Sequence, residues 1–184
     1  MAYDLADLTL EAEICQMSFN PHQLAVYNAV LILVQNNKGK TFFLQSVGEG
    51  SKTYVCNTIA AAVHAMGSPV LCVAFSAIAV LLLDGGRTAH SHFKIPIPVF
   101  ETSFCGISRN ANLKKLIWQT KLIIWNEAPM QHYYGIEALD QTLWDILGQD
   151  NSFGGLTVLF RGDFHQILPV IQKGLCKDII NALL

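Results

Sequence analysis

The chain has 184 residues, of which 52% are hydrophobic by type and 14% charged, with a formal net charge of −2. That length suits one domain with a sizeable core and leaves little room for a second. Charge is sparse beside the roughly 25% of an average globular chain, and the slight negative balance excludes a globally basic nucleic-acid binder, so any such contact must come from local geometry.

In chain order, the opening MAYDLADLTLEAE is acidic and lacks the basic head of a secretory signal or transit peptide. Residues 1–18 read as a lead-in, and 19–184 as one domain. Asn20-Pro21-His22-Gln23 predicts a helix start: Asn20 as N-cap, Pro21 at the first helical position, and Gln23 completing a capping box. Leu24, Tyr27, Val30, Leu31 and Val34 then follow at helical spacing, and Asn36-Asn37-Lys38-Gly39 ends the run. Thr41-Phe42-Phe43-Leu44 is a short β-rich stretch. A polar loop from Gln45 to Ser51 leads to a second helix opened by Lys52-Thr53. Its stripe is Val55, Ile59, Ala62, Val63 and Met66, with Gly67 and Pro69 as stop signals.

Val70 to Phe75 predicts a buried strand and Ala77 to Leu83 a short helix, closed by Asp84-Gly85-Gly86. The apolar run from Val70 to Leu83, broken by Ser76, falls short of the roughly 18 residues a membrane span needs, so no membrane partner is expected. Lys121 to Trp125 and Leu156 to Phe160 predict further strands, with a helix over Tyr134 to Leu147 between them. Strands alternating with helices define an α/β class with a mainly parallel sheet. The five cysteines are odd in number and form no Cys-x-x-Cys pair, which favours reduced thiols over disulfides or zinc.

Ser46-Val47-Gly48-Glu49-Gly50-Ser51-Lys52-Thr53 lies between a predicted strand and helix, where a phosphate-binding loop belongs. Backbone amides there would cradle phosphates at the helix N-terminus, Lys52 would reach the outer phosphates, and the Thr53 hydroxyl would face magnesium. The strict pattern, Gly-x-x-x-x-Gly-Lys-Ser/Thr, is broken because both required glycines are serines, Ser46 and Ser51. Glu49 adds a negative charge to a loop meant for anions.

Further segments carry a family resemblance. They are Phe19-Asn20-Pro21-His22-Gln23; Phe42-Phe43-Leu44 with Lys52-Thr53; Ala74-Phe75-Ser76-Ala77 running into Gly85-Gly86-Arg87-Thr88-Ala89-His90-Ser91-His92-Phe93; Trp125-Asn126-Glu127-Ala128-Pro129-Met130; and Gly162-Asp163-Phe164-His165-Gln166-Ile167-Leu168-Pro169-Val170. In this order and spacing the chain resembles the Pif-like DNA helicases of superfamily one, including Helitron-type relatives, from about Phe19 onward. The resemblance implies a RecA-like P-loop NTPase domain: the first motor domain of an ATP-dependent 5′-to-3′ DNA helicase, with the second expected to be absent. Its cofactors would be ATP and Mg²⁺. Its partner would be single-stranded DNA or DNA with a single-stranded tail, in the nucleus or the mitochondrion.

By the same resemblance ATP would be held by Gln23, Gly48, Glu49, Gly50, Ser51, Lys52 and Thr53, with Gln23 on the adenine. Magnesium would sit on Thr53, Asn126 and Glu127. Glu127 would activate the attacking water and Gln166 would sense the γ-phosphate. Ser76, Arg87, Thr88, His90 and Phe93 would lie along DNA. Read without the family, Gln23 is only a capping residue, Arg87 and His90 are surface groups, and Asn126-Glu127 is a polar strand end. The family's aspartate is Asn126 here, its first glycine in the last motif is Arg161, and its arginine is His165. Those changes imply impaired turnover, and the alternative is a non-catalytic module that binds single-stranded DNA or a helicase partner.

Overall fold

A computed structural model describes residues 5–45, 49–107, 111–163 and 182–183. Helix α1 (Leu5–Met17) precedes α2 (Pro21–Gln35), whose start has the expected chemistry. The Asn20 side chain accepts from the Gln23 N–H at 2.9 Å, and the Gln23 carboxamide oxygen accepts from the Asn20 N–H at 2.9 Å. Two orphan donors are thereby satisfied reciprocally. Strand β1 (Thr41–Leu44), helix α3 (Glu49–Ala65) and strand β2 (Val70–Ala74) follow. Next come the short helix α4 (Ala77–Val80), β3 (Arg87–Thr88), α5 (Ala89–Phe93), α6 (Ala111–Gln119), β4 (Leu122–Asn126), α7 (Tyr133–Leu147) and β5 (Thr157–Arg161).

Five strands form one parallel sheet in the order β1-β5-β4-β2-β3. The three central strands are buried on both faces, which is why they read as unbroken apolar runs rather than as alternation. Period-2 geometry sends alternate residues to opposite helical layers. Leu122, Ile124, Leu159, Val70 and Cys72 pack with Tyr27 and Val30 of α2 and with Val55, Ile59 and Val63 of α3. Ile123, Trp125, Val158 and Phe160 pack with Phe93, Ile117 of α6 and Leu139 and Leu143 of α7. In that second layer the Trp125 ring lies 5.9 Å from Phe93 and 5.9 Å from Phe160.

The structure differs from the sequence reading in three places. The lead-in is largely helical: α1 lies along α3, with Ala12 buried and Leu8 half-buried against it. Tyr54 of α3 secures the junction through 2.8 Å to the Ser18 hydroxyl and 3.2 Å to the Cys15 carbonyl. Phe19 wedges edge-on between Tyr27 and Tyr54, each 5.6 Å away. Helix α3 begins at Glu49 rather than Lys52. Helix α6 holds only Leu113, Leu116 and Ile117 toward the core, too short a stripe to stand out in sequence.

Candidate active site

The strand order places the C-terminal ends of β1, β5 and β4 side by side, with α3 starting above them. In open α/β sheets ligands bind at such carboxyl ends, where the strand order reverses. One cavity there is lined by Lys52, Leu82, Asn126, Glu127, Arg161, Gly162 and Asp163. Lys52 sits in the first turns of α3 and is only 4% exposed. Its placement follows from the strand–loop–helix connection, and the α3 stripe that begins at Val55 fixes its direction.

Glu127 follows β4 directly and adopts the left-handed conformation, φ +56° and ψ 35°. A non-glycine residue there is uncommon and costs on the order of 1 kcal/mol or more. The turn Ala128–Met130 holds it, with the Met130 N–H donating to the Glu127 carbonyl at 3.0 Å. Its carboxylate accepts from the Ser76 hydroxyl at 2.7 Å and from the Ser76 N–H at 3.3 Å. The same hydroxyl oxygen caps α4 by accepting from the Ala79 N–H at 3.2 Å. Asn126 is 3% exposed. Its side-chain oxygen accepts from the Glu127 N–H at 3.0 Å and its amide donates to the Ala79 carbonyl at 3.4 Å.

Gly162 lets the two polar strand ends approach each other. A Cβ on it would lie 2.2 Å from Cδ of Pro129 and 2.7 Å from its Cγ. The Glu-Ala-Pro-Met and Gly-Asp segments, some thirty-five residues apart in sequence, therefore interlock here. Below the cavity, burial raises the Cys56 thiol to about 11, while the Arg161 charge acts in the opposite direction.

Of the sequence-expected nucleotide residues, the structure brings Lys52, Asn126 and Glu127 to this cavity. Thr53 lines a neighbouring cavity with Tyr54, Asn57 and Asp84, and Leu82 is the wall common to both. Gln23 stands at the start of α2 with its carboxamide oxygen engaged by Asn20. Glu49, Gly50 and Ser51 form the beginning of α3. Gly48, Ser46, His165 and Gln166 lie outside the described residues.

The expected DNA residues gather at the β3 edge of the sheet. Arg87 is exposed and pairs with Val73, and Thr88 pairs with Ala74 and precedes α5. His90 lies edge-on to Phe75 at 6.1 Å. Burial holds the His90 and His92 imidazoles below the usual range, and for His92 the Arg87 and Lys94 charges add to the effect. Phe93 has no exposed surface; it packs on Trp125 and anchors α5 instead of facing outward. Ser76 links this edge to the cavity through Glu127. Sequence reasoning gave no site role to Arg161 or Asp163, although both line the cavity. The available signal was a cation ending an apolar strand one position before a Gly-Asp pair.

A parallel sheet sandwiched by helices, with a lysine at the head of a helix and a carboxylate at an adjacent strand end, defines a RecA-like P-loop NTPase domain. The comparisons agree. The profile of PIF1-like helicases matches residues 18–184, and the chain belongs to that family. The ATP-dependent DNA helicase Pif1 of Psychrobacter sp. (strain PRwf-1) is 32% identical over 138 residues, covering 74% of this chain and 21% of the relative. The ATP-dependent DNA helicase RRM3 of Saccharomyces cerevisiae is 26% identical over 147 residues, covering 78% of this chain and 20% of the relative. The crystal structure of Bacteroides sp Pif1 in complex with ADP-AlF4 superposes with a TM-score of 0.68 at 25% identity, over 84% of this chain and 34% of that one. The chain spans about a fifth of the length of these curated relatives. Among the described residues, no helix is long and apolar enough to cross a membrane.

Proposed function

We propose that the cavity beneath α3 receives the phosphate end of ATP, and that the domain serves an ATP-dependent 5′-to-3′ DNA helicase acting in DNA repair, recombination or telomere maintenance in the nucleus or mitochondrion. One observation carries the reading: Lys52 and Glu127, 75 positions apart in sequence, line the same cavity at the strand ends. The cavity is about 30 Å³, so the nucleotide's charged end rather than its body would enter it. Lys52 supplies charge to the outer phosphates, aided by the amides at the start of α3, and Gln23 would meet the adenine with its remaining amide. Glu127 would take a proton from the attacking water, and the family resemblance gives Gln166 the role of sensing the γ-phosphate. Ser76, Arg87, Thr88 and His90 offer hydroxyl and cationic contacts to the backbone of single-stranded DNA, and Phe93 supports them from the core.

The expected magnesium site on Thr53, Asn126 and Glu127 is not favoured by this arrangement. Asn126 is neutral and both ends of its amide are engaged, Thr53 lines the adjacent cavity, and one of the two Glu127 carboxylate oxygens accepts both Ser76 bonds. Hard divalent cations want several oxygen ligands, carboxylates foremost. This set does not fit one.

The test is nucleotide binding and hydrolysis, with and without single-stranded DNA, for the wild type and Lys52→Ala. Binding lost in Lys52→Ala with the fold retained supports the reading, and unchanged binding refutes the site. The uncharged Asn126 also favours a second reading, in which the domain binds single-stranded DNA or a helicase partner without turnover. Nucleotide and DNA binding with no hydrolysis in any condition selects that one.

A further inference from the structure

Arg161 ends β5 directly opposite Asn126 of β4 in the parallel register. Two residues before them, Leu159 and Ile124 both face the α3 layer. Strand periodicity therefore sends both side chains toward α3 as well. Arg161 as a whole is 3% exposed, lines the cavity with Lys52, and acts electrostatically on Cys56, one helical turn beyond Lys52. Two basic side chains thus flank the place where the phosphate end would enter, while the strand end next to Arg161 carries a neutral amide. A divalent ion would meet like charge from both, and the two carboxylates on the lining, Glu127 and Asp163, only offset that repulsion instead of leaving a net negative site. A phosphate would meet a planar fork of donors matched to its oxygens, as well as an ammonium.

We propose that Arg161 is a resident cation of this cavity, taking the place of a divalent metal, so that the site binds the terminal phosphates of a nucleoside polyphosphate without one. The proposal rests on the nucleotide reading above and adds to it a specific dependence. The carboxylates of Glu127 and Asp163 line the same cavity. Arg161 as a purely structural ion-pair member is therefore the competing account, and it makes no claim on ligand affinity.

The experiment is calorimetric titration of the whole chain with ATP, once in excess Mg²⁺ and once in excess EDTA. The expected result is binding of similar strength in both, within about threefold. Arg161→Met should lose at least about tenfold in the EDTA condition, because hydrogen bonds to charged groups are among the stronger ones. Arg161→Lys should retain part of that affinity. Circular dichroism and thermal melts of each variant establish folding, and the wild-type pair of titrations needs no variant at all. Binding seen only with Mg²⁺ overturns the proposal while leaving the nucleotide reading intact. Binding in EDTA that Arg161→Met does not weaken overturns it in favour of the structural ion pair. No ATP binding in either condition overturns both.

Discussion

The substitution Gly162→Ala probes how the two halves of the cavity are held together. An added Cβ would lie 2.2 Å from the Pro129 Cδ and 2.7 Å from its Cγ. Ordinary carbon contacts are about 3.5–4.0 Å, so the proline ring must retreat by about 1.3 Å or more. Pro129 belongs to the turn Ala128–Met130 that keeps Glu127 in its left-handed conformation. Both neighbours are constrained, because Gly162 continues from the buried end of β5 and Pro129 is itself buried. Overpacking of this kind costs about 1–3 kcal/mol. With a urea m-value of about 2 kcal/mol/M, the unfolding midpoint should fall by about 0.5–1.5 M. The displaced turn should also weaken ATP binding. Gly106→Ala is the control: its added Cβ would meet the nearest atom, the Lys94 Cβ, at 3.4 Å, an ordinary contact. Midpoints for Gly162→Ala and Gly106→Ala that agree within error, with ATP affinity unchanged in both, would refute the interlock.

Ile59 of α3 has no exposed surface and packs against the sheet; Ile59→Ala should cost about 2–5 kcal/mol in equilibrium unfolding, and a loss under about 1 kcal/mol would contradict the packing described. Arg87→Ala should lower the slope of log affinity for single-stranded DNA against log salt by about one, with the fold unchanged; an unaltered slope removes Arg87 from the DNA contact. Burial holds His64, His90, His92 and His132 below the usual histidine range. The unfolded chain then takes up protons first as pH falls, so their contribution to stability is present above the ordinary histidine range and is lost on acidification through it. Melting temperature should drop between about pH 7.5 and about pH 5.5. The drop should be shallower in His90→Gln/His92→Gln, and a melting temperature that rises over that interval would contradict the assignment.

Much of the fold was legible because local chemistry and tertiary structure agree. Asn20 and Gln23 form the box their spacing announces, and the three central strands are apolar throughout because helices cover both their faces. Lys52 and Glu127 were legible as a pair only through the order of motifs, since nothing local tells a lysine after a strand which distant carboxylate it will meet. Helix α1 was obscured because Leu10 and Ile14 stay exposed, at 57% each, which blurs the stripe around Ala12. The direction of Arg161 was hidden for a different reason. It depends on the parallel pairing of β5 with β4, and a shift of one residue would send the guanidinium into the opposite, aromatic layer.

That aromatic layer also gives the molecule an internal optical label. Trp125 is wholly enclosed by Phe93 and Phe160 and stands next in the chain to Asn126 and Glu127, whereas Trp118 is 61% exposed and Trp144 is 39% exposed. Its indole emission belongs at the blue edge of the spectrum and resists aqueous quenchers that dim the other two. A ligand that shifts the end of β4 registers there as a change in colour or lifetime, with no dye attached.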